Sequence, residues 1–186
     1  MKTYTIIILF LLTLVGCTQA PPPAPSCRVH IDYRDTHQGN GACLVRIQDG
    51  LLTVKHEQSN AIDLPRGNFL SQTETSQCGA HRHMWEQTGL NVKVAQLLGV
   101  TAQGLRIYAC HLGGGFEGTE EVIDAPSWIN ESIDRIGFID PFVTRYEAWQ
   151  HPKDLILIRD AYVAQGRTEI LSDAEIFQMS HENEQY

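Results

Sequence analysis

The stretch from Leu64 to Leu90 constrains the fold of this chain more than any other. It opens on a Leu-Pro-Arg-Gly turn, crosses a polar run, and then gives a proline-free segment from Thr75 to Thr88 that stops at Gly89. Thr75 and Ser76 are good first caps and a glycine is the usual terminator, so the segment predicts a helix of about four turns. Strand-like segments lie on both sides. Ala42 to Ile47 and Leu51 to His56 are separated by Asp49-Gly50, a strong hairpin signal, and Val92 to Val100 and Leu105 to Leu112 follow the helix. Arg28 to Tyr33 alternates weakly, as an edge strand would. Asp154 to Gln165 and Ser172 to Met179 read as helices, the second with Ser172-x-x-Glu175 as a capping box, and the polar tail after His181 is expected to fray. Gly113 to Gly118 reads as a loop, since it lacks the Lys-Ser/Thr pair of a phosphate-binding P-loop. Hairpin, helix, strands and late helices together predict an α/β sandwich.

Composition narrows the partners. At 42% apolar and 19% charged residues the chain can bury a core, and its 186 residues suit one domain. With 14 Lys+Arg against 22 Asp+Glu it offers no basic face to neutralise phosphates, which excludes a nucleic acid polymer as partner.

The first residues read as an address. Lys2 precedes an apolar run from Ile6 to Val15, too short for the ~20 residues that span a bilayer. Leu14-Val15-Gly16-Cys17 resembles a bacterial lipobox. That resemblance implies a signal peptide over residues 1–16 and acylation of Cys17, which would anchor the chain to a lipid bilayer. Thr18 after the cysteine, in place of Asp, implies the outer membrane of a bacterial cell envelope, facing the periplasm. Residues 17–26 then form the acylated, Pro-rich tether, and 27–186 the folded domain.

Four cysteines remain: Cys27, Cys43, Cys78 and Cys110. An even number in an oxidising compartment predicts two disulfides, whose pairing the sequence leaves open. The competing reading is a zinc site, since Cys78-x-x-His81-x-His83 and Cys110-His111 set imidazoles beside thiols.

From Leu64 to Leu90 the chain also resembles a Nudix box, Gly-x5-Glu-x7-Arg-Glu-U-x-Glu-Glu-x-Gly-U with U aliphatic. Glu74, Arg82, Glu86 and Gly89 take the signature positions, with Pro65 and Gly67 at the strand exit and Ala80 and Met84 at the buried helix positions. The resemblance, over roughly Ala42 to Trp128, implies a Nudix-like α/β/α sandwich with a mixed β-sheet. It also implies hydrolysis of a diphosphate linked to a nucleoside or lipid. By the same resemblance Arg82 and Glu74 would orient the box, Glu86 would be the remaining metal and catalytic carboxylate, and Glu120 or Glu121 would lend a further carboxylate or base.

Three departures weigh against an ordinary site. Gly67 to Glu74 spans one residue too many, the glutamate after the box arginine is His83, and the second paired glutamate is Gln87. Positions 83, 86 and 87 share one helix face, so the face keeps one carboxylate beside an imidazole and an amide. Oxygen ligands and negative charge hold Mg²⁺, and an imidazole favours Mn²⁺ or Zn²⁺. The expectation is a divalent cation, Mg²⁺ or Mn²⁺, held weakly by Glu86, His83, Gln87 and Glu120. Two functions follow. One is a divergent hydrolase of a small phosphorylated ligand; the other is an inactive scaffold that binds a ligand or an envelope protein. Each residue also has a plainer reading. Arg82 and Glu74 suit a salt bridge locking loop to helix, Glu86 a solvated carboxylate, and His81 and His83 surface imidazoles on different helix faces. Trp85 suits packing as well as stacking on a nucleobase, and Arg66 a surface charge as well as a phosphate contact.

Overall fold

The computed structural model describes residues 22–113, 122–129 and 132–168. Strands β1 (Gly41–Leu44), β2 (Arg46–Ile47), β3 (Gly50–His56), β4 (Ile62–Asp63) and β5 (Arg66–Gly67) precede helix α1 (Ser76–Thr88). Strands β6 (Val92–Val100), β7 (Arg106–Leu112), β8 (Val122–Ile123) and β9 (Ile133–Ile139) follow it. A second helix, α2, occupies 155–168. No helix among these residues is long and apolar enough to cross a membrane.

The strands form two sheets, ordered β5-β1-β7-β6 and β2-β3-β9-β8, with β4 also paired to β3. The β1–β7 pair is parallel and the other strand pairs are antiparallel, so the architecture is mixed. Side chains alternate along a strand, and β1 is buried on both faces. Ala42 and Leu44 enter one core with Leu51, Ile107 and, from α2, Leu155, Ile158 and Ala161. Cys43 enters a second core with Leu52, Val54, Tyr108 and, from α1, Ala80 and Met84. One helix therefore covers each side, and the α/β/α sandwich expected from the sequence is the observed fold.

Local chemistry fixes α1. The Thr75 hydroxyl accepts from Cys78 N at 3.2 Å, and Gly89 ends the helix at φ +71° with its N–H on the Trp85 carbonyl. That backbone conformation is open to glycine at little cost.

Several expectations need correction. The strand expected over Ala42–Ile47 breaks at Val45, so β1 and β2 serve different sheets. The hairpin turn is Gln48-Asp49, with Gln48 at φ +51° and Gly50 already paired with Ile47. Arg28 to Tyr33 supplies one parallel bridge, Val29 to Val94, and then a 3-10 turn at Ile31–Tyr33. The later helix starts at 155, after a 3-10 turn at Pro152–Asp154. Strand β9, central in its sheet, was not foreseen. The Gly113–Gly118 loop beyond Gly113, the Ser172–Met179 helix, the signal segment and Cys17 lie outside the described residues.

The disulfides are Cys27–Cys78 and Cys43–Cys110. All four thiols are consumed, which removes the zinc reading. Cys43–Cys110 joins neighbouring strands, whereas Cys27–Cys78 ties the N-terminal segment to the first turn of α1. That segment is held further by Asp35, whose Oδ2 accepts from Arg106 Nη2 at 2.7 Å and from Tyr108 Oη at 2.8 Å.

Candidate active site

Arg82 is the centre of the box. From the second turn of α1 its Nε donates to Glu74 Oε1 at 2.8 Å, its Nη1 to Glu86 Oε2 at 2.8 Å, and its Nη2 to the Asn68 carbonyl at 2.9 Å. The i, i+4 spacing brings Glu86 to it, and the loop returns Glu74 from before the helix. Glu74 Oε2 also accepts from Leu70 N at 2.6 Å, so the carboxylate organises the loop that leads to the helix. The Arg82 guanidinium holds the Glu74 carboxyl below its ordinary range, outweighing burial.

His83 lies beneath this knot, and the expectation of surface imidazoles fails for both histidines. His81 is buried, with Nε2 against Asn91 Oδ1 at 3.1 Å, and burial lowers its pKa. His83 is packed over Gly67, where an added Cβ would stand 2.3 Å from the ring carbon Cε1. Its Nε2 sits 2.8 Å from the Asn68 carbonyl and 3.2 Å from Arg82 Nη2. The other nitrogen, Nδ1, lies 3.3 Å from Glu86 Oε2. Burial, reinforced by Arg82, keeps the imidazole below its ordinary pKa.

Gln87 is spoken for. Its Nε2 donates to the Arg66 carbonyl at 2.8 Å and its Oε1 accepts from Arg66 N at 3.2 Å, so the amide pairs with β5 as a neighbouring strand would. Arg66 is not a surface charge. Its Nε donates to Asp63 Oδ2 and its Nη1 to Asp154 Oδ2, both at 2.8 Å, and its side chain is 11% exposed. Trp85 points away from these groups: its Nε1 reaches the Pro22 carbonyl at 3.3 Å and its ring lies 5.8 Å from that of Trp128.

A cleft of about 570 Å³ lies beside the box, lined by Gly67, Asn68 and Gln87 together with Asp63, Arg66 and the 150–154 segment. Trp85 does not line it. Glu86 is one position before the lining Gln87, and Glu120 and Glu121 lie outside the described residues.

The cation that the resemblance implies can be tested against the donors. Glu86 is the one carboxylate of the face, and it is engaged by Arg82; the Gln87 oxygen is turned to a backbone N–H. Among the described residues, no three His, Cys, Asp or Glu side chains converge on a common point. Mg²⁺ requires several oxygen ligands in near-octahedral array, and these residues do not fit it. Asp63, Asp154, His151 and His56, which share the cleft, were not singled out from the sequence. The signal available was the His-Pro-Lys-Asp run at 151–154, polar residues at the start of a helix.

No protein-family model matches the chain. It is 34% identical over 99 residues to a MutT-like protein from Streptomyces ambofaciens, a stretch covering 50% of this chain and 64% of that protein. The match thus spans less than two thirds of the relative's length. In fold the chain is similar to an ADP-ribose pyrophosphatase from Streptococcus suis, with a TM-score of 0.55, 14% identity, and coverage of 68% of this chain and 90% of that one. A NUDIX hydrolase from Nitrosomonas europaea gives a TM-score of 0.54, 16% identity, and coverage of 67% and 88%.

Proposed function

We propose that this chain, a member of the Nudix family by its fold and by its sequence likeness to a MutT-like protein, is a divergent hydrolase of a phosphoanhydride whose metal binding is weakened. The substrate class is a small nucleoside- or lipid-linked diphosphate. The observation that carries this reading is the Arg82 knot: Glu74 and Glu86 each stay bonded to Arg82, whose Nη2 also reaches the carbonyl of Asn68, and Asn68 and Gln87 line a cleft of about 570 Å³. The replacement of two carboxylates by His83 and Gln87 leaves a face with one carboxylate and little charge for a cation, which is what weakens metal binding in this reading. We place the protein in the bacterial envelope, anchored to the bilayer by an acylated Cys17 and facing the periplasm from the outer membrane. Two disulfides suit that oxidising compartment.

The test is hydrolysis of ADP-ribose, the compound for which the Streptococcus suis neighbour is named, read as formation of AMP and ribose 5-phosphate, and of an isoprenyl diphosphate, read as release of phosphate. Wild type and Glu86→Gln are compared with Mg²⁺, Mn²⁺ and Zn²⁺. A wild-type rate above the variant's with at least one cation supports hydrolysis at this box. Equal rates with all three defeat it.

A second reading is a catalytically inactive scaffold that binds a ligand or an envelope protein. It is favoured by the engagement of His83 and Gln87 with backbone groups of Asn68 and Arg66, which gives both side chains structural work. Binding of the same compounds without turnover would select it.

A further inference from the structure

His151 lines the same cleft as Gly67, Asn68 and Gln87, half-exposed, with its Nε2 3.6 Å from Asp63 Oδ2. Asp63 is 4% exposed and firmly held: its Oδ1 accepts from Leu64 N at 2.9 Å and its Oδ2 from Arg66 Nε at 2.8 Å. The backbone on either side of the imidazole is fixed as well. Gln150 N donates to the Ile62 carbonyl at 2.8 Å, the His151 carbonyl accepts from Asp154 N at 3.0 Å, and Trp149 is buried. A buried carboxylate behind one ring nitrogen leaves the other for a molecule in the cleft, and such contacts commonly shorten when a substrate arrives.

We infer that His151 is the base that takes the proton from the attacking water in this cleft, with Asp63 as its positioning residue. The inference rests on the hydrolase reading above, and it supplies proton transfer that the depleted box face lacks. In the step, the water oxygen forms a bond to phosphorus while its proton passes to His151. The anhydride P–O bond breaks, its electron pair leaves with the departing phosphate, and His151 returns the proton to solvent. The imidazolium so formed is stabilised by the Asp63 carboxylate, as an oriented base requires. The charged and titratable groups around Asp63 are Arg66, His56 and His151; Asp154 shares Arg66, and Lys153 lines the same cleft. Burial, only partly offset by Arg66, pushes the Asp63 carboxyl up to about 6, which puts its own titration near the pH at which an imidazole works.

The experiment measures kcat and KM for ADP-ribose against pH in wild type, His151→Ala and Asp63→Asn, with far-UV circular dichroism as a control for folding. His151→Ala is expected to lower kcat ~10²-fold or more with little change in KM, to lose the acidic limb of the profile, and to recover turnover in added imidazole. Asp63→Asn is expected to lower kcat less and to move that limb. If Asp63→Asn does not fold, His151→Ala decides alone, since its side chain is half-exposed. A wild type that turns over, with His151→Ala matching its rate and its acidic limb, overturns the inference and leaves the hydrolase reading standing. A wild type with no turnover under any cation overturns both.

Discussion

Arg82 and Glu74 are joined twice, Nε to Oε1 at 2.8 Å and Nη2 to Oε2 at 3.1 Å, a forked pair that ties α1 to the loop before it. Both side chains are nearly covered, at 11% and 13% exposed. A pair buried to this degree is costly to break from one side, because the remaining charge is left in a poor solvent. Arg82→Ala is expected to lower stability by about 3 kcal/mol, read from urea unfolding. Arg82→Lys should recover only part of this, since an ammonium cannot reach Glu74, Glu86 and the Asn68 carbonyl in the same plane.

The same pair sets an acid limit. Glu74's carboxyl is held below its ordinary pKa by Arg82, so its contribution is present above the ordinary carboxylate range and is lost as pH falls through the lowered value. Wild type should therefore lose stability on acidification more steeply than Glu74→Gln, as unfolding midpoints measured down the pH scale would reveal.

Gln87 gives a prediction with an unusual sign. Gln87→Glu supplies the carboxylate of the Nudix box that this stretch resembles, yet it removes the N–H that donates to the Arg66 carbonyl and sets a charged oxygen there instead. The variant is expected to lose roughly 1–2 kcal/mol of stability and to gain no Mg²⁺-stimulated turnover. Thermal melts and cation titrations of the activity check both halves.

Gly67 is the floor on which His83 rests. A methyl group at this position would meet the imidazole, with Cβ 2.3 Å from its Cε1, so Gly67→Ala must displace the ring. Overpacking of this sort costs about 1–3 kcal/mol. The displaced ring should also titrate closer to the ordinary histidine pKa, because burial is what now lowers it. NMR titration of the His83 ring protons would detect the change.

Much of this was legible in the chain and some of it was not. Helix α1 was readable because its punctuation is local: a threonine cap, no proline, and a terminal glycine. Fold class followed from strands whose apolar content was plain, such as Val92–Val100. Strand β9 was missed since Ile133-Asp-Arg-Ile-Gly-Phe-Ile mixes charges into a central strand, where pairing with β3 overrides propensity. The break at Val45 depends on which sheet each half joins, a long-range matter. The box was visible as a motif, but the engagement of Gln87 with β5 and the burial of Arg66 between Asp63 and Asp154 arise from residues far apart in sequence. Spacing along a helix cannot report them.

Asp63 provides the opposite pH dependence to Glu74. Its carboxyl is raised to about 6 by burial, so its contribution is full below the ordinary carboxyl pKa and fades as pH rises through about 6. Asp63→Asn, if folded, should flatten the decline of stability that wild type shows between about pH 4 and 6. Urea midpoints at half-unit pH intervals would test this.

The two disulfides interleave along the chain, with Cys43 inside the loop closed by Cys27–Cys78 and Cys78 inside the loop closed by Cys43–Cys110. A protease that cuts any one peptide bond between Cys27 and Cys110 therefore releases nothing: whichever side the cut falls on, at least one sulfur bridge still joins the fragments. In a compartment without thiol reductants, a nicked molecule would keep both halves of its sandwich within reach of each other and could reclose.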